Sequence, residues 1–143
     1  MAKRILVPVD RPSSAHAVLP LVADMARTSG GSVRLLHVAP VPSERTADDG
    51  RVVAFASQEM ERIEFSRREC LKAAEAELTG VPVESVVRFG DPAQEILVEA
   101  DAFGADLIAV TAQRRGWLRR LLPGVVNTLF RRSEVPVLLL AAR

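Results

Sequence analysis

Ile5-Leu6-Val7-Pro8-Val9-Asp10 is an unbroken apolar run closed by a carboxylate. A strand with one wet face alternates apolar and polar residues. A continuous run of this length fits a strand buried on both faces, as in a parallel sheet covered by helices. Pro12, Ser13 and Ser14 follow as a turn and helix start. Val18, Leu21, Val22 and Met25 then recur at i, i+3, i+4, i+7, one face of a helix. Gly30-Gly31 closes that helix.

The same alternation repeats downstream. A second apolar run is Val33-Arg34-Leu35-Leu36-His37-Val38, and the segment from Ala39 to Arg51, broken by prolines and acids, reads as a long flexible loop. A long helix is expected from Ala54 to Leu78, with Ile63, Cys70, Leu71, Ala74 and Leu78 on its buried stripe. Glu61, Arg62, Arg68, Glu69 and Lys72 make its solvated side. The third run is Val81 to Phe89. Gly90-Asp91-Pro92 then turns the chain, with Asp91 as N-cap and Pro92 as first helical residue. Ala93, Ile96, Leu97 and Ala100 give the next apolar face. Leu107 to Val110 is the fourth run, Gly124 to Ser133 the last helix, and Val135 to Leu140 the last strand. The order β-α-β-α-β-α-β-α-β implies an α/β fold: an open, mostly parallel five-stranded sheet with helices on both faces, linked by right-handed crossovers. No repeat or internal boundary is evident, so residues 1–143 are read as a single domain.

Composition agrees. Of 143 residues, 48% are hydrophobic but only 4% aromatic, so the core must be aliphatic. A net charge of +1 gives no case for nucleic acid or an anionic membrane. No apolar run reaches a membrane span. No signal-peptide core is seen after Lys3 and Arg4. Cys70 is the only cysteine, which excludes an intrachain disulfide and fits a reducing, cytoplasmic setting.

Open parallel sheets bind ligands beyond the carboxyl ends of their strands, where strand order reverses. Two loops matter there. One begins at Asp10, whose other reading is a cap for the next turn. The second, Thr111 to Pro123, carries Arg114, Arg115, Arg119 and Arg120 and leads to Gly124, read as a helix N-terminus with free N–H groups for an anion. His37 reads as a packed histidine, His16 as surface, and Cys70 as a small core residue. Two separated histidines and one cysteine make no metal-ligand spacing. No nucleophile elbow, P-loop, dinucleotide fingerprint or zinc signature is present, so no catalytic constellation is read.

The opening strand Ile5 to Asp10 resembles that of universal stress proteins. So do Leu35-Leu36-His37-Val38, Gly90-Asp91-Pro92 with Ile96, Ala105-Asp106-Leu107-Ile108, Leu121 to Val126 and Val135-Pro136-Val137-Leu138. The resemblance covers essentially the whole chain, in order. It implies the adenine-nucleotide alpha hydrolase-like sheet order 3-2-1-4-5 and a homodimer through the C-terminal strand, where Val137-Leu138-Leu139-Leu140 is an apolar edge. It also implies that Asp10 sits near adenine or ribose and that Pro8, Val9 and Val38 line the base pocket. The ATP-binding branch of the family carries G-x2-G-x9-G-[ST] after strand four. Aligned on Gly124, its other positions fall on Thr111, Arg114 and Val125, so one of four matches. Glycine lets backbone N–H groups close on phosphate, and Val125 offers no hydroxyl. Arg114 or Arg115 could substitute charge-assisted bonds.

The leading expectation is a non-catalytic stress-response and signalling module, acting as a dimer on an unidentified protein partner, with a degenerate nucleotide loop. The alternative is a sensor of an adenine nucleotide, ATP or AMP with magnesium, using Asp10, Gly124 and the loop arginines. A slow ATPase ranks lower, and nucleic-acid binding last.

Overall fold

Strands and helices alternate in a computed structural model that describes residues 2–10, 16–42, 45–46, 52–54, 56–112 and 117–141. The main strands are β1 (Arg4–Pro8), β2 (Ser32–Ala39), β5 (Val83–Phe89), β6 (Leu107–Ala112) and β7 (Val137–Ala141). They form one sheet in the order β5-β2-β1-β6-β7, every neighbour parallel. Counted among these five, that is the order 3-2-1-4-5. The segment read as a loop holds β3 (Arg45–Thr46), which pairs antiparallel with β4 (Val52–Ala54), so Ala54 ends a strand and the long helix expected from it starts at Ala56 instead.

The unbroken apolar run at the start explains itself in the packing. Ile5, Val7 and Val9 face one core with Leu19, Val22 and Ala26 of α1 (Leu19–Ser29) and Leu71, Ala74 and Leu78 in and after α2 (Ala56–Ala76). Leu6 faces the other, with Ile96, Ala100 and Phe103 of α3 (Pro92–Phe103) and Val125 and Leu129 of α4 (Trp117–Arg132). Each fully buried side chain of this size contributes about 1.5–3 kcal/mol, and β1 alone places Ile5, Leu6 and Val7 at 0% exposure. Gly31 lets β1 and β2 start side by side: a Cβ there would lie 2.4 Å from the Lys3 carbonyl oxygen.

Several helical expectations shift. α1 begins at Leu19, so His16 precedes it and Leu21 lies outward at 40% exposure, while Leu19, Val22, Ala23 and Ala26 are buried. Its expected start at Pro12 to Ser14 lies outside the described residues. Cys70 is exposed rather than in the core. The buried stripe runs through Leu71, Ala74 and Leu78, and Cys70, a full 100° step before Leu71, turns outward. α4 starts at Trp117, not at Gly124, which is an exposed mid-helix residue.

α3 is seated as the turn chemistry predicts: Asp91 accepts a hydrogen bond from the Gln94 N–H at 3.0 Å, and Pro92 opens the helix. Its far side holds a feature the apolar pattern did not reveal. Glu99 is 3% exposed and accepts from Arg34 Nη1 and Arg88 Nη1, both at 2.8 Å. Arg34 also pairs with Glu84 and lies 4.3 Å over the Phe103 ring. Arg88 Nε donates to Glu95 at 2.9 Å. This cluster ties α3 to β2 and β5.

Candidate ligand cavity at the carboxyl ends of the strands

β1 stays with β2 to its end, through Pro8 opposite Leu36 and the Val9 N–H on the Leu36 carbonyl at 2.7 Å. Its pairing with β6 covers only Ile5–Leu107 and Leu6–Ile108, while β6 continues beside β7 to Ala112. The strands therefore part on the carboxyl side of β1, at the reversal of strand order where such sheets take ligands. Thr111, in this stretch of β6, is 3% exposed and its Oγ1 has no hydrogen-bond partner among the described residues. Burying a hydroxyl unpaired is costly.

At the carboxyl ends of β1, β2 and β5 lies a cavity of about 330 Å³. Asp10 borders it from just after β1, His37 and Val38 from β2, Pro40 from just after β2, Gly90 from the β5–α3 turn, Pro92 from the start of α3, and Arg67 from α2. Gly90 has φ +137°, and its N–H binds the Ala39 carbonyl at 2.9 Å, which holds the ends of β5 and β2 together at the cavity.

His37 is 8% exposed, with Nδ1 2.9 Å from the Val9 carbonyl oxygen. A carbonyl can only accept, so Nδ1 carries the proton and Nε2 is left as an acceptor. Burial pushes the imidazole below its usual range. The Val9 carbonyl opposes that shift, the Arg67 charge adds to it, and Asp10 opposes it through its charge and carbonyl. The unfolded chain thus takes up a proton here near pH 6.5 where the folded chain does not. More protons on the unfolded state mean that stability falls as pH drops below 6.5 and levels once the folded ring also protonates. His37→Gln, which keeps a donor for the Val9 carbonyl, is expected to flatten that fall. Urea midpoints from about pH 7.5 to about pH 5 read it, and an unchanged slope refutes the assignment.

Arg67 is distinct among its neighbours. Arg62 pairs with Glu59 at 2.7 Å and Arg68 with Glu64 at 3.0 Å. Arg67 makes no hydrogen bond or ion pair among the described residues, although its charge reaches His37. The sequence held a signal for this. The residues four before and after it are Ile63 and Leu71, and the acid three before it, Glu64, is taken by Arg68.

Of the residues singled out from sequence, Asp10 and Val38 border the cavity. Pro8 and Val9 are buried just beneath, and Val9 acts through its carbonyl on His37. Arg114 and Arg115 lie outside the described residues. Gly124 is the eighth residue of α4, past the first turn whose N–H groups are left over, so it offers no helix N-terminus to an anion. Packing does not require a glycine there, since a Cβ would meet nothing within 4 Å. Another hollow, of about 290 Å³ between Asp101, Gly104, Arg132 and Glu134, opens at the amino-terminal end of β6 and β7, away from the crevice. Among the described residues, no cluster of three or more His, Cys, Asp or Glu could hold a metal. No described helix is long and apolar enough to cross a membrane.

Residues 1–141 match the model of the Universal stress protein family. No curated protein sequence matches the chain. Among solved structures, hypothetical protein MJ0577 superposes with a TM-score of 0.78 at 23% identity, over 99% of this chain and 96% of that one. A universal stress protein from Archaeoglobus fulgidus, in complex with dAMP, gives 0.62 at 22% identity, over 96% of each chain. A universal stress protein family protein from Arabidopsis thaliana with AMP bound gives 0.62 at 19% identity, over 99% and 92%.

Proposed function

The chain belongs to the universal stress protein family, and we propose that it is a non-catalytic stress-response module, one domain over residues 1–143, that senses an adenine nucleotide. The observation that carries this reading is the cavity at the carboxyl ends of β1, β2 and β5, with an acid, a neutral imidazole and a guanidinium that has no partner among the described residues on its walls. The nucleotides bound by the relatives from A. fulgidus and A. thaliana support it. In this proposal Val38 packs the base, Asp10 accepts from ribose hydroxyls, and Pro8 and Val9 back the pocket. Arg114 is a second cation from the loop after β6. Gly124 has no part in it. A non-catalytic role is favoured because, among the described residues, no Ser, Thr or Cys borders the cavity and His37 Nδ1 is engaged by a carbonyl. The setting we propose is cytoplasmic.

Thermal unfolding with AMP, ADP and ATP, each with and without magnesium, tests this. A nucleotide at about 100 times its dissociation constant should stabilise by about 2.7 kcal/mol and raise the midpoint by about 5–10 °C. If none of them shifts the midpoint, the proposal fails.

The nucleotide-free reading, a module acting on a protein partner as a dimer, draws on β7. It pairs only with β6 in the sheet, and Leu139 on it is 37% exposed. A second copy along this edge is the partner it suggests, and a monomer by light scattering at micromolar concentration rejects that.

A further inference from the structure

We infer that Arg67 of α2 is the phosphate anchor of the cavity and makes it a site for a nucleoside monophosphate. This rests on the adenine-nucleotide reading above and goes beyond it, since it takes the anion from the loop after β6 to the opposite wall.

The cavity is electrically lopsided. At the β1 side stands Asp10, which favours donors such as sugar hydroxyls. The cavity's other walls include Arg67 of α2 and Pro92, the first residue of α3. The amino-terminal end of that 12-residue helix adds a partial positive charge. His37, between them, is neutral and leaves Arg67 the full formal cation of the described wall. A guanidinium in contact with its own carboxylate has little left for a ligand. Arg62 and Arg68 are in that condition and Arg67 is not. Its planar fork suits a terminal phosphate, which accepts two parallel hydrogen bonds from it. On the described wall one cation matches one phosphate group, and a volume of about 330 Å³ lies at the small end of ligand cavities, roughly 300–1,000 Å³.

The test is calorimetric titration of the full chain and of Arg67→Ala and Arg67→Lys with AMP and with adenosine, which lacks only the phosphate. For Arg67→Ala, AMP affinity is expected to fall about 10- to 100-fold, with adenosine affinity unchanged within about twofold. Arg67→Lys should fall between, because an ammonium keeps the charge and loses the fork. Arg67 is exposed and makes no hydrogen bond or ion pair among the described residues, so the ligand-free melting temperature of Arg67→Ala should match the parent. If AMP binds the parent and Arg67→Ala equally, or if Arg67→Ala loses AMP and adenosine in parallel, the anchor is overturned while the nucleotide reading stands. If the parent binds neither compound, the nucleotide reading falls and the anchor falls with it.

Discussion

Replacing Glu99 by alanine is expected to cost about 3 kcal/mol of folding stability and to lower the melting temperature by about 10 °C. The side chain is 4% exposed and is held by two guanidinium groups at 2.8 Å. Its removal leaves both arginines with fewer partners beside an apolar helix face. Breaking a buried pair by removing one member costs about 3–5 kcal/mol. The lower end applies, because Arg34 and Arg88 keep Glu84 and Glu95 and are 19% and 32% exposed. Glu99→Gln should be milder, since it keeps volume and one acceptor. Urea denaturation at neutral pH measures both. An alanine variant within about 1 kcal/mol of the parent would mean that the cluster contributes geometry but little stability, as exposed pairs do.

Glu99 also shows what kind of feature the sequence conceals. The apolar period of α3 was legible, and so were its start at Asp91-Pro92 and the strand at Ile5 to Val9, because these depend on local spacing and local hydrogen bonds. A glutamate three residues after Ile96 reads as solvated by the same rules. It is buried because Arg34, 65 residues before it on β2, and Arg88, 11 residues before it on β5, are brought over it by the sheet. The site followed the same division. Asp10 was visible as the end of a buried strand at a reversal of strand order. Arg67 was not singled out, since nothing local in a long charged helix says that this residue borders a cavity shared with Asp10, His37 and Gly90. Gly124 failed for a different reason. Pro123-Gly124 has the composition of a helix boundary, yet α4 runs through it from Trp117 to Arg132.

Gly90→Ala joins the two halves of this argument, because Gly90 borders the cavity and touches the ion cluster at once. We expect a loss of about 2.5 kcal/mol from two sources. Its φ of +137° belongs to a region that side chains with a Cβ adopt at about 1–3 kcal/mol. An added Cβ would also lie 2.9 Å from Glu95 Oε1. That neighbour is a flexible side chain and can withdraw, but its other oxygen is 2.9 Å from Arg88 Nε. Relief of the clash therefore loosens the cluster that holds α3 in place. The two sources separate in a double-mutant cycle. In a Glu95→Ala background the clash vanishes and the strain stays, so the cost of Gly90→Ala should shrink by about 1 kcal/mol. Because Pro92 borders the cavity two residues on, AMP affinity should drop about tenfold in the single variant as the start of α3 shifts. A single variant that melts within about 2 °C of the parent would show that the backbone relaxes at little cost. The β5–α3 turn would then be compliant, and the cavity wall that it forms would be set by Arg67 and the strand ends instead.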